Sequence, residues 1–245
     1  VSSETRSIPA GEKLAEQDSF LQGVKDCVPT LLGYLSIGLA AGVVQKTAGL
    51  TITEIALLSL LLYAGSAQFI FAGMIAAGSS PAAIIFTIFF VNLRHLLLSA
   101  SLSPYFRHLS VWRNMWVGSL LTDETFGVAI QQAVTRKKLG ERWMHGLNVT
   151  AYLNWLIANL AGAMLANWIS NPEQYGLGFA LPAMFIGLLV LSILGRGKLK
   201  LDIAIALIAA AVAIGSALLF SGSMGIIIAT IVASTIGMAV DKRWK

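Results

Sequence analysis

The sequence predicts an all-α, polytopic integral membrane helical bundle of about seven to eight transmembrane segments, with broken helices and an internal inverted repeat. Three observations lead there. Of 245 residues, 56% are hydrophobic and 12% are charged, and that charged share is about half the soluble norm. Mean hydropathy is +0.76. The apolar residues fall into successive blocks of about 20, the length that crosses a bilayer. Together these exclude a disordered chain, a collagen-like fibre and an ordinary cytosolic enzyme. One cysteine, Cys27, excludes an internal disulfide and a cysteine-based metal site. No metal or other cofactor is expected. The net charge of +5 reads as basic loops facing the cytoplasm, and no nucleic-acid partner is expected.

Residues 1–26 form a polar N-terminal segment without the pattern of a signal peptide, and its Glu12–Asp26 tract suits a short surface helix. Residues 27–241 form a single transmembrane transport domain, and 242–245 a basic tail on the cytoplasmic side. The first apolar block runs Val28–Val44, with Pro29 in its first turn and Gly33, Gly38 and Gly42 permitting close packing. The second runs Ile55–Ala77 and ends at the Gly78-Ser79-Ser80-Pro81 turn; the third runs Ala82–Leu102. The fourth, Trp116–Val134, is the least apolar. Then come Leu147–Ile169, Gly178–Leu194, Leu201–Phe220 and Gly225–Val240, the last two joined by Ser221-Gly222-Ser223 as a helical hairpin. Val28-Pro29 and Leu181-Pro182 each open Gly-punctuated apolar sequence, which suggests internal symmetry.

Basic clusters lie at Arg136–Arg142, Arg196–Lys200 and Lys242–Lys245, and the positive-inside rule puts these and the C-terminus in the cytoplasm. The first half admits two countings. If block four spans, there are about eight crossings with the N-terminus inside, and Arg107 and Arg113 fall on the wrong side. If block four, or another irregular block, does not cross, there are about seven, with the N-terminus outside.

Polar groups inside apolar blocks carry the chemistry, because a charge at the bilayer centre costs about 2.5 kcal/mol or more. Asn92, His95 and Ser99 share one helix face, and Arg94 points about 100° from His95. Arg94 is either a packing tie to Asp123 or Glu124, or a clamp for a substrate carboxylate or a gate. His95 is a proton carrier or an interhelical hydrogen-bonding residue. Asp123 and Glu124 point to different sides of a helix, so one can pair with Arg94 while the other faces a cavity. Thr122 resembles a cap, so a half-helix can begin there, its N-terminus favouring an anion. Gly65-Ser66-Ala67-Gln68 is either a close-packing run or an unwound stretch offering backbone groups and Gln68 to a ligand. Asn148, Tyr152, Trp155 and Asn159 form one polar and aromatic stripe, lining a pathway or meeting a partner subunit. No P-loop, potassium filter, H-E-x-x-H or G-x-S-x-G occurs.

Tyr63-Ala64-Gly65-Ser66-Ala67-Gln68-Phe69, Asn92-Leu93-Arg94-His95 and Leu121-Thr122-Asp123-Glu124-Thr125-Phe126 resemble the AzlC-type proteins, large subunits of bacterial branched-chain amino-acid exporters linked to azaleucine resistance. The likeness covers roughly residues 20–240, with Asp26 and Pro29 opening the first segment. It implies export of leucine, isoleucine and valine, with methionine as a further candidate, across the cytoplasmic membrane, and a small hydrophobic AzlD-type partner subunit. With the residue chemistry, it places Arg94, Asp123, Gln68, Gly65, Ser66 and Asn92 at the substrate, Glu124 and His95 in proton coupling, and Tyr63, Asn148, Tyr152, Trp155 and Asn159 along the pathway. Two rival readings are a membrane-embedded enzyme using His95 with Asp123 or Glu124, and a structural subunit whose partner holds the pathway.

Overall fold

The computed structural model describes residues 18–136, 138–169, 172–176, 179, 182–183, 186–187, 189–190, 193, 199–219, 232–233, 235–237 and 239–240. Its elements are helical, and among the described residues four helices are long and apolar enough to cross a membrane. The chain is therefore an all-α membrane protein, as its composition predicts. It divides into two compact units after Pro182.

The first unit is built on two long helices, α1 (Phe20–Thr47) and α7 (Glu141–Leu165). Helix α1 starts earlier than the apolar block suggests, because the Ser19 hydroxyl caps it by accepting from Gln22 N at 3.1 Å. Pro29 consequently lies inside the helix and not in its first turn. The early turns are held by α7, where Trp143 Nε1 donates to Asp26 at 2.8 Å and Cys27 is fully buried. The two helices run parallel: Gly23 lies against Trp143, and Gly42 against Asn159. Their backbones nearly touch, with Gly162 against the Leu39 carbonyl. Such close approach gathers dispersion and Cα–H···O contacts that a lipid tail cannot replace.

Block two does not cross the membrane as one helix. It forms α2 (Ile52–Leu61), opened by a Thr51–Glu54 capping box, and α3 (Gly65–Ala76), with a break at residues 62–64. Helix α3 turns back antiparallel to α2. Gln68 Nε2 of α3 donates to Leu58 O at 3.2 Å and Leu62 O at 2.7 Å, and Phe71 packs with Leu50, Ile55 and Leu58. At about 15 and 18 Å, each helix is about half as long as the hydrocarbon core is thick. The pair is a re-entrant hairpin that enters and leaves at the end where α1 finishes.

Helix α4 (Pro81–Leu102) starts at that same end, with Pro81 in its first turn under a Ser80 cap, and crosses in the opposite sense to α1. A short 3-10 turn, Ser103–Phe106, follows it beside the start of α7, where Tyr105 O accepts from Leu139 N at 3.3 Å. Block four is likewise split, into α5 (Val111–Ser119) and α6 (Asp123–Thr135). Helix α5 climbs beside α7: Arg113 Nε donates to Glu141 Oε1 at 3.0 Å, and Val117 O accepts from Asn148 Nδ2 at 2.9 Å. Helix α6 descends beside α1, from Tyr34 at Thr122 and Glu124 to Asp18, which meets Arg136 at 3.7 Å. This second hairpin enters from the end opposite the first.

Within the first unit α1, α4 and α7 are long and apolar enough to cross, while blocks two and four each fold as two shorter helices that reverse direction, a pattern that differs from both countings. Arg107, Arg113, Arg136, Lys138 and Arg142 then all lie toward the end where α1 begins, so Arg107 and Arg113 are not misplaced. Within the first unit α1–α3 and α4–α6 are each a long helix followed by a hairpin, of opposite sense; the symmetry suggested by Val28-Pro29 and Leu181-Pro182 involves residues outside those described, Leu181 among them.

In the second unit, α8 (Leu199–Leu219) matches block seven, and Gly237 packs against Ile205. Most of blocks six and eight, the turn at 221–223 and residues 1–17 lie outside the described residues.

Candidate functional site

The hairpin tips meet near the middle of α7. Gly65 rests on Trp155, with only 2.8 Å between the ring and the position of a Cβ. Tyr63 meets Tyr152 edge-on at 4.9 Å, and Tyr34 meets Trp155 edge-on at 5.5 Å. Arg94 of α4 lies between the tips. Its Nη1 is 2.9 Å from Asp123 Oδ2, and its Nη2 donates to Ser66 Oγ at 2.7 Å. One guanidinium fork therefore ties the first turns of α3 and α6 together. The ion pair is about one-fifth exposed, at 23% and 19% for its two side chains, and so is neither sealed nor fully solvated.

Thr122 is the N-cap of α6 in a reciprocal cap with Thr125, so a half-helix begins where the sequence expects one. The adjacent acids diverge as helix geometry requires: Asp123 to Arg94, and Glu124 to Tyr34, whose hydroxyl donates to Glu124 Oε2 at 2.7 Å. The same hydroxyl pairs with Thr122 Oγ1. His95 Nδ1 is 3.0 Å from Leu121 O. Its buried Nε2 has no hydrogen-bond partner in the structure, nor has the buried Asn92 Oδ1. Helix α4 is unbroken, so Arg94 and His95 reach neighbouring but distinct points on the second tip. Helix α3 has no side-chain cap at Ala64, which leaves its first amides without a local acceptor.

Gln68 and the α7 stripe act as clamps. The Gln68 amide gives both protons to the end of α2 and receives Trp155 Nε1 and Gln45 Nε2, each at 3.2 Å. All four of its hydrogen-bonding positions are used, which leaves none for a ligand in this conformation. Asn159 Oδ1 accepts from Gln45 Nε2 at 2.8 Å, Tyr152 holds Leu60 O at 2.9 Å, and Asn148 holds α5. The stripe thus grips both hairpins. Two residues escape the sequence reading, Tyr34 and Gln45. Their signal is a pair of polar groups at i and i+11 in a Gly-rich apolar block, hence on one face.

Below the tips, α4 and α5 flank a cleft of about 640 Å³ lined by Leu96, Ser99, Phe106, Asn114, Met115 and Leu121. Its walls are largely apolar, and its volume falls in the range of small-molecule sites.

Replacing Gln68 with leucine should cost about 2–4 kcal/mol, because it removes four hydrogen bonds at once and leaves the buried Trp155 indole without an acceptor, while Leu58 O and Leu62 O keep their backbone donors Leu62 N and Ala64 N. The check is the thermal unfolding midpoint of the purified protein, which should fall. An unchanged midpoint would remove Gln68 from the hairpin's support.

The AzlC protein family model matches residues 29–169, a stretch containing both hairpins and α4. The inner membrane protein YgaZ of Escherichia coli strain K12 is 30% identical over 179 residues, covering 71% of this chain and 73% of that protein. An uncharacterized membrane protein of Archaeoglobus fulgidus is 31% identical over 227 residues, covering 89% and 94%. The branched-chain amino acid transport protein AzlC of Bacillus subtilis is 23% identical over 159 residues, covering 65% and 62%. No solved structure matches.

Proposed function

This chain belongs to the AzlC family, and on that premise we propose that it is the large subunit of a secondary transporter exporting branched-chain and similar neutral amino acids. The observation that carries the reading is the Arg94–Asp123 pair between opposed hairpin tips. A zwitterion presents the same two charges. Its carboxylate can take Asp123's place on Arg94, and its ammonium can take Arg94's place on Asp123. Neither buried charge is then left unpaired, an imbalance that costs about 3–5 kcal/mol. The uncapped amides at Gly65 and Ser66 stand by the carboxylate, and Asn92 completes the polar rim. The apolar tail takes the cleft between α4 and α5. The relative from Bacillus subtilis, a branched-chain amino acid transport protein by name, supports the substrate class.

Two hairpins entering from opposite ends suit alternating access, since displacing either one opens the shared site to a different side. The basic end, with Arg107, Arg113, Arg136, Lys138 and Arg142, faces the cytoplasm under the positive-inside rule. Protons entering through Glu124 drive export. A small AzlD-type membrane subunit completes the transporter.

Labelled leucine should exchange by counterflow in proteoliposomes holding this chain and the small subunit, and should not with this chain alone. Full exchange by the chain alone would remove the partner from the proposal. The tie that Arg94 makes between the hairpins also favours a second reading, a structural subunit whose partner holds the pathway. That reading has Arg94 and Asp123 variants that assemble poorly yet bind leucine normally once assembled.

A further inference from the structure

We infer that Tyr34 is the positioning residue through which protonation of Glu124 in one hairpin reaches the tip of the other. The inference rests on the transport reading above and adds a residue and a mechanism of coupling to it.

Tyr34 is nearly buried, at 4% exposure, on the crossing helix α1. It touches both hairpins. Its hydroxyl donates to Glu124 and pairs with Thr122, the residue that caps α6. Its ring stands edge-on to Trp155, which packs on Gly65 and donates to Gln68. Close to the Tyr34 hydroxyl is that of Tyr63, the residue at the first tip. The Tyr63 hydroxyl is buried and has no hydrogen bond in this conformation.

A phenol has one proton to give. While Glu124 is ionised, the carboxylate accepts and Tyr34 spends its proton there, so Tyr34 can only accept from Thr122. Toward Tyr63, too, Tyr34 can only accept, so Tyr63 receives no proton from it. When Glu124 takes up a proton from water, its carboxyl becomes a donor, and the shared bond reverses so that Glu124 gives to Tyr34. The Tyr34 proton is released from that bond but stays on its oxygen, and it turns to Tyr63 or Thr122. No bond to carbon changes, and the only atom gained is the proton on Glu124. A buried hydroxyl at the first tip thereby gains a donor and is freed to point its own proton elsewhere, which changes the relative stability of two positions of that hairpin.

The other groups around this relay are few. Asp123 lies on Glu124's own helix and is paired with Arg94 of α4, with His95 beside them on the Leu121 side. Cys27 of α1 lies near Tyr63. From α7 the neighbours are Trp155 and Tyr152, which carry no charge.

Tyr34→Phe keeps the ring on Trp155 and removes the hydroxyl with its bonds to Glu124 and Thr122, while the Thr122–Thr125 cap remains. The test compares the parent with Tyr34→Phe, Tyr63→Phe, Glu124→Gln and the Tyr34→Phe/Glu124→Gln double variant, all in proteoliposomes with the small subunit. Leucine–leucine exchange should survive in Tyr34→Phe, Glu124→Gln and the double variant. Net leucine flux driven by a pH gradient should fall by at least about tenfold in each, and the double variant should be no worse than either of its parents. The pH profile of flux should flatten in Tyr34→Phe as it does in Glu124→Gln. Parental pH-driven flux in Tyr34→Phe overturns the relay. So does loss of exchange in Tyr34→Phe together with pH-driven flux, since that marks a substrate contact or a packing role. Parental behaviour of Tyr63→Phe overturns the step to the first tip. Absence of leucine exchange in the parent sinks the transport reading itself, an outcome distinct from the others.

Discussion

Arg94→Lys should leave the helices in place and cut leucine exchange by about tenfold to a hundredfold. The guanidinium reaches Asp123 through Nη1 and Ser66 through Nη2 at once, one partner on each hairpin. A lysine ammonium is a point charge on a flexible stem and cannot reproduce that fork. It retains the charge that Asp123 needs, so no carboxylate is left buried alone and the fold survives. What goes is one charge-assisted hydrogen bond of about 1.5–3 kcal/mol, a factor of about ten or more in affinity. Initial rates of counterflow, read beside the thermal unfolding midpoint, separate the two effects. Parental exchange by Arg94→Lys would show that the carboxylate is held elsewhere, with the amides around Gly65 to Gln68 as the remaining donors.

Gly42→Ala should cost about 3 kcal/mol or more, enough to remove most of the folded protein from the membrane. A methyl group on Gly42 would overlap the Asn159 carbonyl and crowd Ala163 N, and on Gly162 it would overlap the Leu39 carbonyl. These obstacles are backbone atoms in the middle of helices, so neither can rotate away. The internal control is Gly33→Ala on the same helix, where an added methyl meets nothing within 4 Å. That substitution should be neutral or slightly stabilising, since alanine favours a helix over glycine by about 1 kcal/mol. Yield of monodisperse protein and its unfolding midpoint are the measurements. Equal behaviour of the two variants would mean that α1 and α7 are not held by backbone contact.

The chemistry of the site was more legible than its architecture. Arg94, Asp123 and Glu124 stand out because charges inside apolar blocks are costly, and the structure pairs Arg94 with Asp123 while turning Glu124 to Tyr34. Thr122 announces the start of α6 through its capping chemistry. The hairpins were not legible. Residues 55–77 contain enough apolar sequence for one crossing, and hydropathy cannot tell one span from two half-length helices folded back. The reversal is held by particular bonds, such as those from Gln68 to Leu58 O and Leu62 O, which leave no mark on a hydropathy trace. The stripe on α7 was visible as a face, but its task depends on what faces it. Asn148, Tyr152 and Trp155 bond to the hairpins, which sequence periodicity alone does not place.

A span followed by a re-entrant hairpin makes one net traverse of the bilayer, and one is odd. The hairpin contributes nothing to that sum, since the chain leaves it by the face through which it came. A second unit of the same kind joined directly behind the first must therefore thread in upside down. No inversion of the gene is needed for α4–α6 to oppose α1–α3; the parity of a single crossing imposes it. A unit with an even number of traverses would give two hairpins dipping from the same face, and a site reachable from one side only.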